Sequence, residues 1–187
     1  MLNSTWYWNN YKSFFDVETC DQIVEDAYDH GADDNDRVQG SNGEFYELKL
    51  IDDLELYKSL DEKIKFANSE CKWNFDYNTL EAIKFVELNV GHYSDWHMDS
   101  AHINEAHNGA RKHTVIVMLS DTKEYLQPGG IEIVGGMPNQ ENDWNTEIYL
   151  EKGDMLILPA CVPYKVNVIQ DGLQKLLVTH TVGPAWR

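Results

Sequence analysis

The sequence has few basic residues, few cysteines and no long apolar run. Its 187 residues include 15 Lys and Arg against 32 Asp and Glu, which gives a formal net charge of −17. Proteins that bind nucleic acids neutralise backbone phosphates with Lys and Arg, so this deficit argues against a nucleic-acid partner. No apolar stretch is long enough to span a bilayer, so we expect no association with a membrane.

The cysteines and the first residues bear on the cellular compartment. Cys20, Cys71 and Cys161 lie far apart and are odd in number. No two of them have the spacing of a metal finger, so we expect reduced thiols in a reducing compartment. The segment MLNSTWYWNNYKSFF lacks the basic and apolar regions of a signal peptide. We therefore expect a soluble, cytoplasmic protein, and the sequence indicates no particular oligomeric state.

The first part of the chain has helical periodicity. A hydrophobic content of 42% and six Trp predict a folded core, and the length predicts one domain over residues 1–187. We expect a helical part at about 1–75, with one helix in FFDVETCDQIVEDAYDH after an Asp16 cap and another in LELYKSLDEKIKFANSEC. The polar segment GADDNDRVQGSNGEF between them is predicted to be a loop. The predicted buried faces contain Val17, Cys20, Ile23, Val24 and Ala27 in the first helix, and Leu54, Leu56, Leu60, Ile64 and Phe66 in the second.

The second part of the chain has the periodicity of β-strands. From about Leu80 onwards, short β-rich runs are separated by Gly, Pro, Asn or Asp. These runs are EAIKFVELNV, KHTVIVMLSD, GGIEIVGG, TEIYLEKGDMLILPA, YKVNVI and QKLLVTHTVG. Helices followed by six or more short strands predict an α+β chain whose core, at about 80–187, is a β-sandwich or jelly roll.

The segment VGHYSDWHMDS contains His97 and Asp99, separated by one residue. On an extended segment, alternate side chains lie on one face of a sheet, so both side chains would reach one ion. An imidazole and a carboxylate are two of the three ligands of the facial triad that binds Fe(II). A hydrogen-bonded strand end is the alternative for this pair.

The blocks VGHYSDWHMDS, RKHTVIVMLSD, GG at 129–130, KGDMLILPA and GLQKLLVTHTVGPAWR follow one another in a distinctive order. In this order the chain resembles the prolyl 4-hydroxylase-like 2-oxoglutarate/Fe(II) dioxygenases, particularly compact phage and bacterial forms. The resemblance implies a double-stranded β-helix (jelly roll) with N-terminal helices packed on one sheet. It further implies an oxidoreductase that uses Fe(II) and 2-oxoglutarate to hydroxylate a prolyl or other protein side chain. A phage origin would be compatible with association with a virion.

The resemblance assigns roles to individual residues. His97 and Asp99 match the first two iron ligands, and the third-ligand position falls on Tyr164. A phenol has a pKa near 10, so it would have to ionise to bind iron. The basic residue that pairs with 2-oxoglutarate falls on Gln174, which cannot neutralise a carboxylate. Its neighbour Lys175 would reach the site only if a bulge reversed its direction.

Five further residues complete the predicted site. A Tyr that helps to hold 2-oxoglutarate in the family corresponds to Leu88, which has no donor. His180 shares a strand face with Gln174 and is an alternative third ligand, or else a polar group of the barrel wall. Tyr93, Trp96 and Arg111 are predicted to line the substrate pocket, although packing and a salt bridge at the rim would also explain them.

Three functional hypotheses follow. The first is a 2-oxoglutarate/Fe(II) oxygenase that acts on a peptide or protein. The second is an oxygenase-fold binding or structural module, part of a viral or other assembly, which has lost the cofactors; the changes at Leu88, Tyr164 and Gln174 favour it. The third is a metal-dependent enzyme that does not use 2-oxoglutarate and binds its metal through His97, Asp99 and His180.

Overall fold

The structure is a computed structural model that describes residues 7–29, 37–40, 43–49, 53–101, 103–104, 109–121, 129–135 and 145–186. For residues 37–40, 43–49, 101 and 103–104 it describes the backbone alone. The helices are α1 (Val17–Asp29) and α2 (Leu54–Glu70), and one 3₁₀ turn spans Asp99–Ala101. The strands are β1 (Asn9–Tyr11), β2 (Arg37–Gly40), β3 (Gly43–Lys49), β4 (Thr79–Leu80), β5 (Lys84–Leu88), β6 (Ser94–His97), β7 (Ile103–Asn104), β8 (Gly109–Met118), β9 (Ile131–Val134), β10 (Asn145–Ile148), β11 (Met155–Pro159), β12 (Tyr164–Val166) and β13 (Gln174–Gly183).

Both helices begin at aspartate caps. The Oδ1 atom of Asp16 accepts a hydrogen bond of 2.8 Å from the backbone N–H of Thr19, as the sequence predicts. The Oδ1 atom of Asp53 accepts hydrogen bonds of 3.0 and 2.9 Å from the backbone N–H groups of Glu55 and Leu56. Each cap satisfies N–H groups that have no partner within the helix and is worth about 1 kcal/mol.

The sequence correctly predicts the central residues of each buried helix face. It is wrong at three positions. Val17, Leu54 and Phe66 were expected to be buried and are exposed. Leu54 and Phe66 each lie two residues from a buried position, and two residues turn a helix by about 200°, away from the sheet. The buried residues are Cys20, Ile23 and Ala27 of α1 and Leu56, Leu60, Ile64 and Ala67 of α2.

The larger sheet lies beneath the helices. Nine of the described strands form it in the order β1-β11-β8-β13-β5-β3-β2, with β4 beside β13 and β7 beside β8. On β8, Val115 and Val117 pack with the helices, whereas Ile116 and Met118 face the other sheet. This alternation divides the apolar interior into two cores, one on each face of the larger sheet.

The smaller sheet has the order β10-β9-β12-β6 among the described residues. Its inner face carries Ile131, Ile133, Ile148 and Tyr164, which pack against the core residues of the larger sheet. Two antiparallel sheets that enclose one core, with both helices on the outer side of the larger sheet, form a jelly roll. The predicted α+β jelly roll and each of its six β-rich runs are therefore confirmed.

Strands also occur in the part that was predicted to be helical. β1 pairs with β11, and β3 pairs with β5, so both extend the larger sheet. The predicted loop at 31–45 contains β2 and the start of β3, which pair with each other. The prediction was wrong here because β3 is positioned by an edge of β5, about 40 residues further along the chain. The local composition of a segment does not reveal such a partner.

Two further predictions concern the thiols and the membrane. Cys20 and Cys71 are buried, Cys161 is exposed, and all three thiols are free. Within the described ranges, no helix combines the length and the hydropathy that crossing a bilayer requires.

Candidate functional site

His97 and Asp99 lie where β6 ends. His97 is the last residue of this strand, and Asp99 begins the 3₁₀ turn that follows. The turn is fixed to the end of β11 by a hydrogen bond of 2.9 Å from the N–H of Ser100 to the carbonyl of Ala160. Because the strand ends between the two residues, the direction of the Asp99 side chain is set by this turn and not by strand alternation.

The imidazole of His97 has a defined orientation. Its Nδ1 atom is 2.7 Å from the carbonyl oxygen of Asp95. Since a carbonyl only accepts, Nδ1 carries the hydrogen, and in the neutral ring Nε2 keeps its lone pair. The ring also packs on Tyr164, with 4.3 Å between the ring centroids. A hydrogen bond from Nδ1 to a backbone carbonyl is typical of histidines that bind metals through Nε2.

The carboxylate of Asp99 is surrounded by donors from the protein. Its Oδ2 atom accepts a hydrogen bond of 2.6 Å from the hydroxyl of Thr114 and one of 2.9 Å from the hydroxyl of Tyr164. The Nε2 atom of His180 is 3.3 Å from the same oxygen. The Oδ1 atom faces Nη1 of Arg111 at 3.7 Å. The side chain of Asp99, only 7% exposed, thus replaces its water contacts with contacts to the protein.

These contacts determine the ionisation of the pair formed by Asp99 and Tyr164. Burial raises the pKa of Asp99, but the contact with His180 and the hydrogen bonds from Thr114 and Tyr164 outweigh burial and leave this pKa well below its usual value. For Tyr164, burial and the neighbouring charge of Asp99 raise the pKa well above 10. At neutral pH the carboxylate is therefore ionised, and the phenol keeps its hydrogen.

A second carboxylate lies on the other side of His180. The Nδ1 atom of His180 is 3.3 Å from Oε2 of Glu81, and neither ring nitrogen has the geometry of a hydrogen bond. Arg111 binds Glu81 through Nε, at 3.1 Å from both carboxylate oxygens, and through Nη2, at 2.7 Å from Oε2. The groups Glu81, Asp99, Arg111 and His180 form a buried charged cluster, and the side chain of Arg111 is only 16% exposed.

The positions assigned to 2-oxoglutarate also come together. Gln174 on β13 pairs with Leu88 on β5. The amide of Gln174 is buried and donates a long hydrogen bond of 3.4 Å to the carbonyl of Gly129, while Leu88 packs against the core between the sheets. The adjacent Lys175 lies towards α1, with its Nζ atom 5.9 Å from the ring of Tyr28. The bulge that would turn Lys175 inwards does not occur, because the register of β13 shifts only between Thr181 and Val182.

The predicted pocket residues have different surroundings. Tyr93 and Trp96 are 42% and 39% exposed, and the neighbouring Met98 is 43% exposed. All three are close to His97 in the chain, but Trp96 lies beside Lys165 on the outer face of the smaller sheet, whereas the ring of His97 packs on the buried Tyr164. Arg111, by contrast, belongs to the buried cluster and not to the rim, because Glu81 binds its guanidinium.

The sequence did not predict a role for Glu81 of the cluster or for Thr114, which donates to Asp99. Glu81 and Thr114 are buried polar residues within β-rich runs. Thr114 is two residues from Ile116 on β8, so strand alternation alone would have placed it on the inner face. For Glu81 the signal is weaker, since it lies three residues before β5.

The donor set does not fit an iron triad. Fe(II) sites of this kind need two imidazoles and one carboxylate. His97 offers a lone pair, but Oδ2 of Asp99 accepts two hydrogen bonds, Oδ1 of Asp99 faces the charge of Arg111, and Tyr164 keeps its hydrogen. Over the described part of the chain, no three His, Cys, Asp or Glu side chains form a group that would hold a metal ion. Gln174 and Leu88 likewise provide no positive charge for a dicarboxylate.

Several proteins of known structure have a similar fold. The sequence matches no protein-family model and no curated protein. The structure is similar to a viral collagen prolyl hydroxylase from Paramecium bursaria Chlorella virus-1, solved in complex with 2-oxoglutarate. The TM-score is 0.71 and the identity 16%, over 98% of this chain and 99% of that one. A Pseudomonas putida prolyl-4-hydroxylase has a TM-score of 0.68 and 10% identity, over 94% of this chain and 92% of that one.

A prolyl hydroxylase from Trichoplax adhaerens, in complex with a peptide of the hypoxia-inducible factor oxygen degradation domain, is also similar. The TM-score is 0.65 and the identity 15%, over 97% of this chain and 85% of that one. At identities this low, the similarity shows a shared fold and does not show a shared site. The chain has the fold of the prolyl 4-hydroxylase-like 2-oxoglutarate/Fe(II) oxygenases.

Proposed function

We propose that this chain is a polypeptide-binding protein that has the oxygenase fold and works without iron and 2-oxoglutarate. The observation that carries the proposal is that other side chains of the protein already contact the carboxylate of Asp99. Its Oδ2 atom contacts Thr114, Tyr164 and His180 at 2.6, 2.9 and 3.3 Å. A carboxylate oxygen has two lone pairs, so a metal would bind this atom only after displacing a donor. The other oxygen, Oδ1, faces the guanidinium of Arg111 at 3.7 Å, so a cation there would meet a positive charge.

The positions that hold 2-oxoglutarate in the family support the same proposal. A distal carboxylate between Gln174 and Leu88 would meet an amide that already donates to Gly129 and an apolar side chain. Burial of an anion without a positive partner costs several kcal/mol, so this pair disfavours the cosubstrate.

A polypeptide is the ligand class that fits the exposed side chains around His97 in the chain. Tyr93, Trp96 and Met98 are exposed within six residues of the chain, and exposed aromatic residues are enriched in protein interfaces. The similar Trichoplax adhaerens enzyme was solved with a bound peptide. We further propose an intracellular location in a reducing compartment, which is consistent with three free thiols.

An oxygenase is the second candidate, and the orientation of His97 favours it. Its Nδ1 atom is held by the carbonyl of Asp95, which leaves Nε2 ready to bind a metal. This candidate requires Tyr164 to release Asp99. The reaction would be the hydroxylation of a prolyl or other protein side chain, or an unassigned metal-dependent reaction if 2-oxoglutarate is not used.

An anaerobic titration with Fe(II) and then 2-oxoglutarate separates these candidates. We expect no visible charge-transfer band and no change in Tm with either addition, because the donor set is incomplete. A band that saturates near one equivalent, and that is lost in a His97→Ala variant, would establish the oxygenase. Iron binding without the band would favour a metal enzyme that does not use 2-oxoglutarate.

The polypeptide part of the proposal has its own test. Selection from a displayed library of random peptides should enrich binders of the wild-type chain that fail to bind a variant with Tyr93→Ser and Trp96→Ser. These two side chains are exposed, so the variant should keep its Tm. Enrichment of the same peptides on both proteins would contradict the proposed surface.

A further inference from the structure

The outer face of the smaller sheet carries one row of side chains across all four of its described strands. Trp96 of β6 lies beside Lys165 of β12, with the Nζ atom 5.3 Å from the ring centroid. Lys165 is the register partner of Glu132 on β9, and Glu132 is the register partner of Glu147 on β10. The row is thus Trp96, Lys165, Glu132 and Glu147, on the face opposite to the core between the sheets.

The row has more negative charge than positive charge. Lys165 contacts Glu132 at 3.1 Å and neutralises one carboxylate. Glu147 stands directly opposite Glu132, and like charges at paired positions of a sheet are destabilising. The amide of Asn167 bridges the two carboxylates, with hydrogen bonds of 3.2 Å to Glu132 and 2.7 Å to Glu147. An amide provides no positive charge, so within the described residues one carboxylate of the row has no positively charged partner.

Each end of the row combines an aromatic ring with a carboxylate. At one end, the exposed Asp95 adjoins Trp96, which is 39% exposed. At the other end, the exposed Glu147 accepts a hydrogen bond from the hydroxyl of Tyr149, which raises the pKa of this phenol, and Tyr149 is 51% exposed. A ring beside a carboxylate attracts the cationic groups of Lys and Arg through both cation–π and charge interactions.

At Asp95 and Trp96, the edge of β6 has no backbone group available to pair with an added strand. The N–H of Trp96 donates a hydrogen bond of 2.8 Å to Oδ1 of Asp95. The carbonyl of Asp95 is bound by the Nδ1 atom of His97 at 2.7 Å. Both backbone groups are already satisfied, which is a common protection of edge strands. A partner would therefore bind to the face through side chains.

We propose that this outer face binds an extended, basic polypeptide segment that places one Lys or Arg at Asp95 and Trp96 and another at Glu147 and Tyr149. The row spans three gaps between strands, or about 14 Å, which an extended chain covers in about four residues. The net charge of −17 would attract such a segment from a distance. The inference rests on the proposed function, since it names the class of polypeptide and a surface that binds it.

Fluorescence anisotropy of a labelled peptide tests this inference. The probe is a ten-residue Gly/Ser peptide with Arg at its third and seventh positions and Leu at its fifth. We expect affinity to fall about three-fold in Glu147→Gln, as for an exposed ion pair. In Trp96→Ala the fall should be about three- to five-fold, as for an exposed cation–π contact. The matched control is Glu62→Gln, which removes the same charge from the exposed side of α2.

Each other outcome overturns the inference. Equal weakening in Glu147→Gln and Glu62→Gln would show attraction by net charge alone. Equal binding of a peptide with adjacent Arg residues would contradict the spacing. A dimer that dissociates in Trp96→Ala would identify a second copy of the chain as the occupant. The iron titration has a separate readout, so failure of the proposed function is distinguished from failure of this inference.

Discussion

The hydroxyl of Tyr164 donates a hydrogen bond of 2.9 Å to the Oδ2 atom of Asp99, and both residues are buried. Tyr164 is also the register partner of His97 on the neighbouring strand. Tyr164 therefore occupies the position that the resemblance assigns to a third iron ligand. Its hydroxyl also binds the carboxylate of Asp99, to which the resemblance assigns the role of second ligand. In the function that we propose, hydrogen bonds from the protein take the place of metal coordination at these positions.

Replacement of Tyr164 by Phe removes one donor to a buried carboxylate. We expect the free energy of unfolding to fall by about 1.5–3 kcal/mol, the range for hydrogen bonds to charged groups. Urea denaturation measures this loss. The control is Tyr149→Phe, which removes an exposed phenol that also donates to a carboxylate and should cost less. Equal losses in the two variants would contradict a special role for Tyr164.

Replacement of Tyr164 by His should create a metal site. The change removes the donor to Asp99 and adds an imidazole opposite His97. We expect Co(II) to give visible d–d absorption with the Tyr164→His variant and not with the wild-type chain or Tyr164→Phe. Addition of His97→Ala to the variant should abolish the absorption. Equally tight Co(II) binding by the wild-type chain would show that Tyr164 does not block the site.

Arg111 and Glu81 should be strongly coupled. Removal of the guanidinium in Arg111→Met leaves the buried Glu81 without its main partner, so we expect a loss of about 3 kcal/mol. Combining it with Glu81→Gln should restore much of the stability, since the buried negative charge that loses the guanidinium is then gone. Urea denaturation of the single and double variants measures the coupling. Additive losses would indicate that the pair contributes no mutual stabilisation.

His113 should make the protein less stable as pH falls. Burial, with a smaller contribution from the charge of Lys112, lowers the pKa of His113 to about 3. Its Nδ1 atom is 2.7 Å from the hydroxyl of Thr181, and its Nε2 atom is 3.2 Å from Oδ1 of Asn68. Between pH 6.5 and 3 the unfolded chain binds a proton that the folded chain does not, so stability rises with pH through this window.

The measurement is urea denaturation between pH 6.5 and 5, where most carboxylates stay ionised. Each pH unit below 6.5 should cost up to about 1.4 kcal/mol, so the loss attributable to His113 approaches about 2 kcal/mol at pH 5. A His113→Gln variant should lack this part of the pH dependence. The same slope in both proteins would contradict the assignment to His113.

Gly153 should be intolerant of a side chain. Its φ is +88°, and a Cβ atom would lie 2.1 Å from the carbonyl oxygen of Phe15. We expect Gly153→Ala to cost at least about 2 kcal/mol, measured as a fall in the free energy of unfolding. Gly91 is the matched control, because it has a φ of +87° but no atom within 4 Å of a Cβ. Equal losses at the two sites would attribute the cost to backbone conformation alone.

Much of this architecture is present in local sequence patterns. The spacing of Cys20, Ile23 and Ala27 predicts one buried helix face, and the continuous apolar run in KHTVIVMLSD is typical of a strand that is covered on both faces. Such patterns depend only on the 3.6- and 2-residue periods of helix and strand, so they can be recognised without knowledge of the partner. The β3 strand was missed because its partner, β5, lies elsewhere in the chain.

By itself, the sequence determined the α+β jelly roll, the location of His97 and Asp99 after a run of strand residues, and the presence of a Tyr where a third ligand was expected. The tertiary structure alone decided what these residues do, because registers between distant strands bring Tyr164 opposite His97 and His180 opposite Thr114. Those two registers surround Asp99 with donors. Hydrogen bonds and ion pairs act over about 3 Å, and periodicity along a chain does not specify contacts of that length between segments tens of residues apart.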